Sequence, residues 1–413
     1  MEALRYRMPT GLYAIPHDRL DLRPDSEVDH DILHPKLVTD EKNIWFFWHS
    51  GFLNMHPCSQ RTVRTWHRRF SKAGWVVRLI NRQPFSLLNL ENFLDTKSEE
   101  IFPRSFIDDT IGGDYPLQHM SDLVRFPLLL KYGGVYADVG LMQIGDIDRV
   151  WSEMIDNPAS PFEIISYNCG TVNERFLSNY FLMSKRNNAL FERAHKLLLK
   201  LWAADGGKTS TEGMHSSPLL NGTELLGSDL TYDAEGQTGC IIPLCKARML
   251  LTDYIIQVQV MSLVMGLVDK DDGWDGPDYS AKHIYAMEYI EGSQFINSYT
   301  KWNGFRAFEL MSSQLPKESE TESSAEQKLA QEIVQECLRR SFAFKLAHGM
   351  ILKMYHETLG SLWRKHMGSD CIPGTYACYL RHGMLFWCPE YLPPRVEFRA
   401  IAPFKRGSLL REV

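Results

Sequence analysis

HMSDLVRFPLLLKYGGVYADVG, residues 119–140, is the stretch on which the reading of this 413-residue chain turns. Residues 121–132 carry a helical pattern, with Ser121 placed to cap the N-terminus. Pro127 falls inside that helix and should kink or locally open it, because proline donates no backbone hydrogen bond. Gly133 and Gly134 stop the helix and let the chain reverse tightly. Residues 135–144 then read as a strand broken at Gly140, where a bend and a close ligand approach are permitted. Asp122 and Arg125 stand three apart on the helix and so share a face, one accepting hydrogen bonds and the other offering a fork of donors. That pairing suits the hydroxyls of a sugar. The strand delivers Asp138 to the end of a sheet, where open α/β folds form their binding crevices. The plainer alternative is a surface ion pair between Asp122 and Arg125, with Asp138 capping a turn.

Working outward, residues 43–49 (NIWFFWH) form a short aromatic and β-branched run that reads as a buried strand. A helix is expected over 59–73, with Val63, Trp66 and Phe70 on one stripe and Gly74 closing it. Residues 75–80 (WVVRLI) read as a second strand and 86–94 as a second helix. This β-α-β-α start signals an α/β fold: a mostly parallel sheet covered by helices. Further on, a strand and a long helix are expected in 176–202, loop in 203–239, a helix in 246–267 and an acidic, turn-rich loop in 269–279. Residues 316–327 (PKESETESSAEQ) look like a solvated linker, and 329–366 like a helix or a pair of helices. The expected division is a surface arm at 1–42, a catalytic domain at 43–315, a linker at 316–327, and a C-terminal helical extension at 328–413 packing on the catalytic domain.

The net charge of −6 and the absence of a basic segment argue against a nucleic-acid partner. The eight cysteines form no CxxC pair and suit neither a zinc site nor a disulfide scaffold, so free thiols in a reducing compartment are expected. The N-terminus lacks the apolar core of a secretory signal. The most apolar stretch, 254–268, is short and interrupted by Gln257 and Gln259, so no membrane span is expected. Together these readings point to a soluble, cytoplasmic enzyme, with its oligomeric state left open.

The pattern S-D-x-x-R followed by Y-G-G-V-Y-x-D resembles the DXD-type sugar-transferase family (GT-A, glycosyltransferase family 32-like). That family includes yeast-type initiation mannosyltransferases, clostridial glucosylating toxins and capsular-polysaccharide synthesis proteins. The runs NIWFFWHSG (43–51), WHRRFSKAGW (66–75), 121–140 and IPGTYACYLR (372–381) are most similar, as a set, to the fungal branch of the last group. The resemblance implies a GT-A fold: a Rossmann-like mixed, mostly parallel sheet flanked by helices, here with additional C-terminal helices. It also implies a nucleotide-sugar donor, a hydroxyl acceptor and hexose transfer with retention. Trp48 matches the aromatic residue that stacks on the nucleotide base. Asp122 and Arg125 match the residues that hydrogen-bond the donor sugar. Asp138 matches the first aspartate of DXD, which contacts ribose and sugar and supports the metal shell. His119, Gly133, Gly134 and Tyr136 belong to the same motif region. His283 is similar to the histidine that sits by the metal and diphosphate.

One departure bears on chemistry. The second aspartate of DXD, a direct metal ligand, is Gly140 here. Mn²⁺ or Mg²⁺ wants hard oxygen ligands, so a divalent metal is weakly held, supplied with ligands from elsewhere, or absent. If it is absent, positive side chains must offset the charge of the leaving diphosphate. Arg61, Arg64, Arg68, Arg69, Lys301 and His283 are the candidates; the plainer readings are a solvated helix face for the four arginines and a packed or surface histidine for His283. The Gly112–Gly113–Asp114 turn is either a flap or a plain turn. Trp302 either lines the acceptor side or packs in the core, and Arg381 is a candidate phosphate or acceptor contact. A small molecule or metabolite is the expected acceptor. Two rivals stand beside the transferase: a GT-A enzyme repurposed for a non-glycosyl reaction, and a non-catalytic ligand-binding or scaffold protein.

Overall fold

Why NIWFF shows no polar alternation is answered by its surroundings in the computed structural model, which describes residues 6–170, 174–227, 242–316, 323–399 and 401–412. All five residues of β1 (Asn43–Phe47) are buried. Trp45 and Phe47 enter one hydrophobic core, and Ile44 and Phe46 enter another on the opposite face. A strand covered on both sides must be apolar throughout. The other central strands are β2 (Val76–Ile80), β3 (Gly134–Ala137), β4 (Ile164–Asn168), β5 (Phe181–Ser184), β6 (Ile284–Glu288) and β7 (Arg395–Val396). They divide their side chains in the same way: Tyr136 and Leu182 enter the first core, Val135, Phe181 and Met183 the second.

The sheet order is β7-β6-β4-β5-β3-β1-β2. β1 runs parallel to β2 and β3, and β6 parallel to β4. β5 is antiparallel to both β3 and β4, and β7 to β6. Five strands therefore point one way, the mixed, mostly parallel α/β sheet expected and one compatible with a GT-A-like fold. Helix α1 (Pro57–Phe70) covers one face through Val63, Trp66 and Phe70. The other face is covered by α2 (Pro116–Tyr132), α3 (Ala189–Trp202) and α5 (Ile256–Met265). A third core joins Leu12, Met142 and Ile144 to Val334, Trp363 and Leu380 of the C-terminal helices.

Several local expectations are corrected. Helix α2 begins at Pro116, a residue well suited to the first helical position. Ser121 is therefore mid-helix, and its Oγ lies 2.8 Å from the Tyr136 hydroxyl. Pro127 is inside the helix, as read. The helix expected over 86–94 is only a 3₁₀ turn, Leu90–Asn92. Ser86 and Asn89 bend back to accept hydrogen bonds from the backbone of Leu88 and Glu91, which competes with helix formation. The 246–267 helix breaks at Ile255, giving α4 (Leu244–Tyr254) and α5. The acidic loop at 269–279 contains the short strand Trp274–Asp275 and the start of the helix Gly276–His283.

The N-terminal segment carries regular structure of its own. Leu12–Ala14 pairs antiparallel with Trp387–Pro389, and the helix Asp25–Leu33 buries Val28 and Ile32 completely. Of the expected linker, 317–322 lie outside the described residues, and 325–327 open the helix Ala325–Arg340 behind a Ser324–Gln327 capping box. The 329–366 stretch is not all helix. It contains the strand Ala343–Lys345, paired antiparallel with Leu141–Gln143, and two short helices, Ile351–Met354 and Leu359–Lys365. The loop read at 203–239 holds three 3₁₀ turns up to residue 220, and 228–239 lie outside the described residues. Seven cysteines are free thiols, and Cys240 lies outside the described residues. Among the described residues no helix is long and apolar enough to cross a membrane.

Candidate active site

Strands that point the same way end at the same edge, and the crevice of an open α/β sheet forms there. Trp48 and His49 follow β1, Asp138 follows β3, Cys169 follows β4 and Tyr289 follows β6. All of them line one cavity of about 1010 Å³. Asn179 and Tyr180 lead into the reversed strand β5 and so reach the same edge. Helix α2 adds Leu117, Ser121 and Arg125 at four-residue steps, with Gln118 and Asp122 beside them, the single stripe that a 3.6-residue period presents.

The three polar residues singled out in the sequence do converge. The Arg125 guanidinium lies 2.6 Å from Asp122 and 3.5 Å from Asp138. It also donates to the Asn179 carbonyl and stacks 4.9 Å over the Tyr136 ring. The Asn179 amide returns to Asp122 at 3.2 Å, and the Gln257 amide donates to the Asp122 carbonyl at 2.5 Å. Burial works against charge on Arg125, but Asp122, Tyr136 and Asp138 outweigh it and hold its pKa above the ordinary value.

Part of the lining comes from residues 345–364, a stretch in which the sequence reading placed no site residue. The Lys345 ammonium lies 2.6 Å from Asp138, and Arg364 sits 6.0 Å over the Trp48 ring. His348 also lines the cavity. Burial, then the charges of Arg364 and Lys345, push its imidazole well below the ordinary histidine value. The one local signal for Lys345 is a lysine inside the β-rich apolar run SFAFKLA (341–347). Its pairing with Leu141 joins residues far apart in the sequence and leaves no local trace. The lining also includes the apolar side chains of Leu226, Leu251, Ile255, Val258 and Ile351, with Tyr355. Lys301 and Trp302 line the cavity as well, both in left-handed backbone, with Trp302 stacked on Tyr355 at 5.6 Å.

Other predicted residues fall elsewhere. His119 is buried behind Asp122, 3.7 Å from its carboxylate and 3.2 Å from the Thr211 hydroxyl. Tyr136 lies beneath Arg125. Gly133 and Gly134 sit at the opposite end of β3 from Asp138. At Gly134, with φ +97°, a Cβ would lie 2.3 Å from the Asn43 carbonyl oxygen. These glycines permit close packing of the chain rather than ligand approach. His283 precedes β6, at the end remote from the cavity, bonded to the Pro161 carbonyl at 2.7 Å. None of the α1 arginines lines the cavity: Arg61 binds Asp370, Arg64 binds Asp29, Arg68 binds Asp25, and Arg69 holds the Gln143 and Gly145 carbonyls. Arg381 also spends its charge on Asp370, at 2.5 Å. The Gly112–Asp114 turn is tied down by the Gly112–Thr209 backbone bond and the Asp114–Lys353 ion pair.

Whether a divalent metal fits depends on the oxygen donors present. Among the described residues lining the cavity, Asp122 and Asp138 are the carboxylates, and both are already engaged by Arg125 and Lys345. A Cβ on Gly140 would lie 3.8 Å from the Lys345 ammonium. An oxygen-rich shell of the kind Mn²⁺ or Mg²⁺ demands is not assembled by these residues. Asp21, Asp31 and His67 do offer ligand atoms within 4.8 Å of one another. They stand outside the cavity, however, and Arg23 already grips Asp21 at 2.6 Å and Asp31 at 2.5 Å.

Comparison with known proteins supplies an independent view. Residues 25–207 match the family model described as capsular polysaccharide synthesis protein. An O-glycosyltransferase of Annulohypoxylon truncatum is 31% identical, covering 97% of this chain and 91% of its own. An O-glycosyltransferase of Phomopsis amygdali is 32% identical, covering 91% and 90%. A glycosyltransferase of Aspergillus fumigatus is 31% identical, covering 86% and 88%. Among solved structures, the catalytic domain of alpha-toxin from Clostridium novyi matches 43% of this chain and 61% of its own at 12% identity, with a TM-score of 0.24, too slight a likeness to bear on the site.

Proposed function

We propose, from the premise that the chain belongs to this fungal glycosyltransferase family and carries its capsular polysaccharide synthesis signature, that it moves a hexose from a nucleotide-diphosphate sugar to a hydroxyl of a small-molecule acceptor, with retention. The observation that carries this reading is the convergence of Asp122, Arg125 and Asp138 on one cavity beside Trp48. Trp48 offers a face for the nucleotide base. The Asp122–Arg125 pair offers an acceptor and donors to the sugar hydroxyls, and Asp138 offers an acceptor to ribose and sugar. Two relatives bear the name O-glycosyltransferase, which supports a hydroxyl as the acceptor. At about 1010 Å³, the cavity stands at the upper end of the range of about 300–1,000 Å³ for ligand sites, a size that supports a ligand as large as a nucleotide sugar. The apolar residues in the lining support an acceptor with an apolar body.

Retention is supported by what the carboxylates are doing. Both are paired with cations, which weakens each as a general base for an attacking acceptor. In a retaining transfer the leaving phosphate takes the acceptor proton, and the transition state is oxocarbenium-like. The test is a screen of nucleotide sugars, reading released nucleotide and transferred mass by mass spectrometry. One donor class should be turned over, and Asp122→Ala should abolish that turnover. Failure of every nucleotide sugar to bind would refute the reading.

A further inference from the structure

We infer that Lys345 is a built-in cation standing where this kind of site uses a divalent metal, and that the enzyme transfers sugar without one. This rests on the transferase reading above. Three observations meet at one point. The Lys345 ammonium lies 2.6 Å from Asp138, the surviving aspartate of the DXD position. It also lies 3.8 Å from where a side chain on Gly140 would begin, the position of the missing metal-binding aspartate. Both residues line the cavity, and both keep some exposure to it, 16% for Lys345 and 28% for Asp138.

The position of the lysine is fixed by its backbone. Lys345 pairs with Leu141 in the antiparallel ladder, the Leu346 N–H bonds the Gly140 carbonyl at 2.9 Å, and the Asn297 amide bonds the Lys345 carbonyl at 3.0 Å. The ammonium rests 5.3 Å over the Tyr180 ring. A charge held this way before substrate arrives costs no reorganisation during reaction. A side chain at position 140 would begin 3.2 Å from the Leu346 carbonyl oxygen and 3.8 Å from this ammonium, so the lysine occupies the space that the glycine leaves open.

The transfer step balances without a metal. The bond from the anomeric carbon to the diphosphate oxygen breaks, and its electron pair stays on that oxygen, facing Lys345. The acceptor oxygen forms the new bond to the same carbon, and its proton passes to the leaving diphosphate. The products are the glycoside and the nucleoside diphosphate.

The experiment uses the full chain, stripped with EDTA, assayed for donor turnover in EDTA and in Mn²⁺. Wild-type kcat/KM should agree within about twofold between the two. Lys345→Met should lower kcat by about 10²–10³-fold, and Mn²⁺ should not restore it. Lys345→Arg should recover at least about tenfold over Lys345→Met, because the charge returns. Wild-type turnover that EDTA abolishes and Mn²⁺ restores overturns the inference while leaving the transferase reading intact; that comparison needs no variant to fold. A folded Lys345→Met with wild-type kcat also overturns it. No donor binding or turnover under either condition removes the transferase reading and this inference with it.

Discussion

Replacing Arg125 with methionine removes the charge that bridges Asp122 and Asp138. The guanidinium is 2% exposed and bridges Asp122, 13% exposed, and Asp138, 28% exposed. Breaking a buried ion pair by deleting one partner costs about 3–5 kcal/mol, because the other charge is left uncompensated. Here the lower end applies. Asp138 keeps Lys345 at 2.6 Å, and Asp122 keeps the Asn179 amide at 3.2 Å. Methionine fills much of the arginine's volume, so the cavity contribution is small. The expected loss is about 3 kcal/mol. At about 2.1 cal/mol/K per residue, 413 residues have a melting entropy of about 0.87 kcal/mol/K, so Tm should fall by about 3–4 °C. Turnover of the donor should fall by at least about 10²-fold, since the donor fork toward the sugar is gone. Calorimetric melting and the nucleotide-release assay measure the two effects. A variant that melts within about 1 °C of wild type and binds donor normally would refute the claim that Arg125 organises the pocket.

Asp370 is fully buried between Arg61 and Arg381. Asp370→Asn should cost about 3–5 kcal/mol in chemical denaturation, while Arg61→Lys should leave donor affinity unchanged, because neither arginine lines the cavity. Gly134→Ala would push a methyl into the Asn43 and Glu41 carbonyls at a φ of +97°; a loss of about 2–3 kcal/mol, or failure to fold, is expected in thermal melts. Burial, partly offset by the Ile101 and Glu100 backbone, holds the His195 pKa at about 4. Above the ordinary histidine pKa both folded and unfolded states are neutral and stability is complete. As pH falls toward 4 the unfolded chain binds the proton first, so about 3 kcal/mol of stability is lost across that window. Denaturation of His195→Gln at pH 7 and pH 4.5 should show a flatter slope than wild type. Trp48→Ala should weaken nucleoside-diphosphate binding by about 1–3 kcal/mol in calorimetry if its ring stacks on the base.

What the sequence determined by itself is local. Strand β1, helix α1 with its Gly74 stop, strand β2 and the α2–β3 unit were legible because hydrophobic periodicity and glycine punctuation are short-range signals. The grouping of Asp122, Arg125 and Asp138 was legible for the same reason: one helix turn and one strand bring them together. Ser86 and Asn89 misled because their side chains compete with the helix their neighbours favour. The α1 arginines, open to reading as a phosphate site or as a solvated helix face, are tied into ion pairs and carbonyl contacts instead, and partners such as Asp29 and Asp370 lie far off in sequence. Gly133, Gly134 and His283 are remote from the cavity because a strand separates its two ends, and a motif does not say which end a residue occupies. Only the tertiary structure decided what residues 345–364 add to the lining. Lys345, His348 and Arg364 reach the cavity through a ladder between residues 141–143 and 343–345, and such long-range pairing is fixed by packing and register rather than by any local pattern. A charge next to Asp138 could therefore be found only after the chain had folded back on itself.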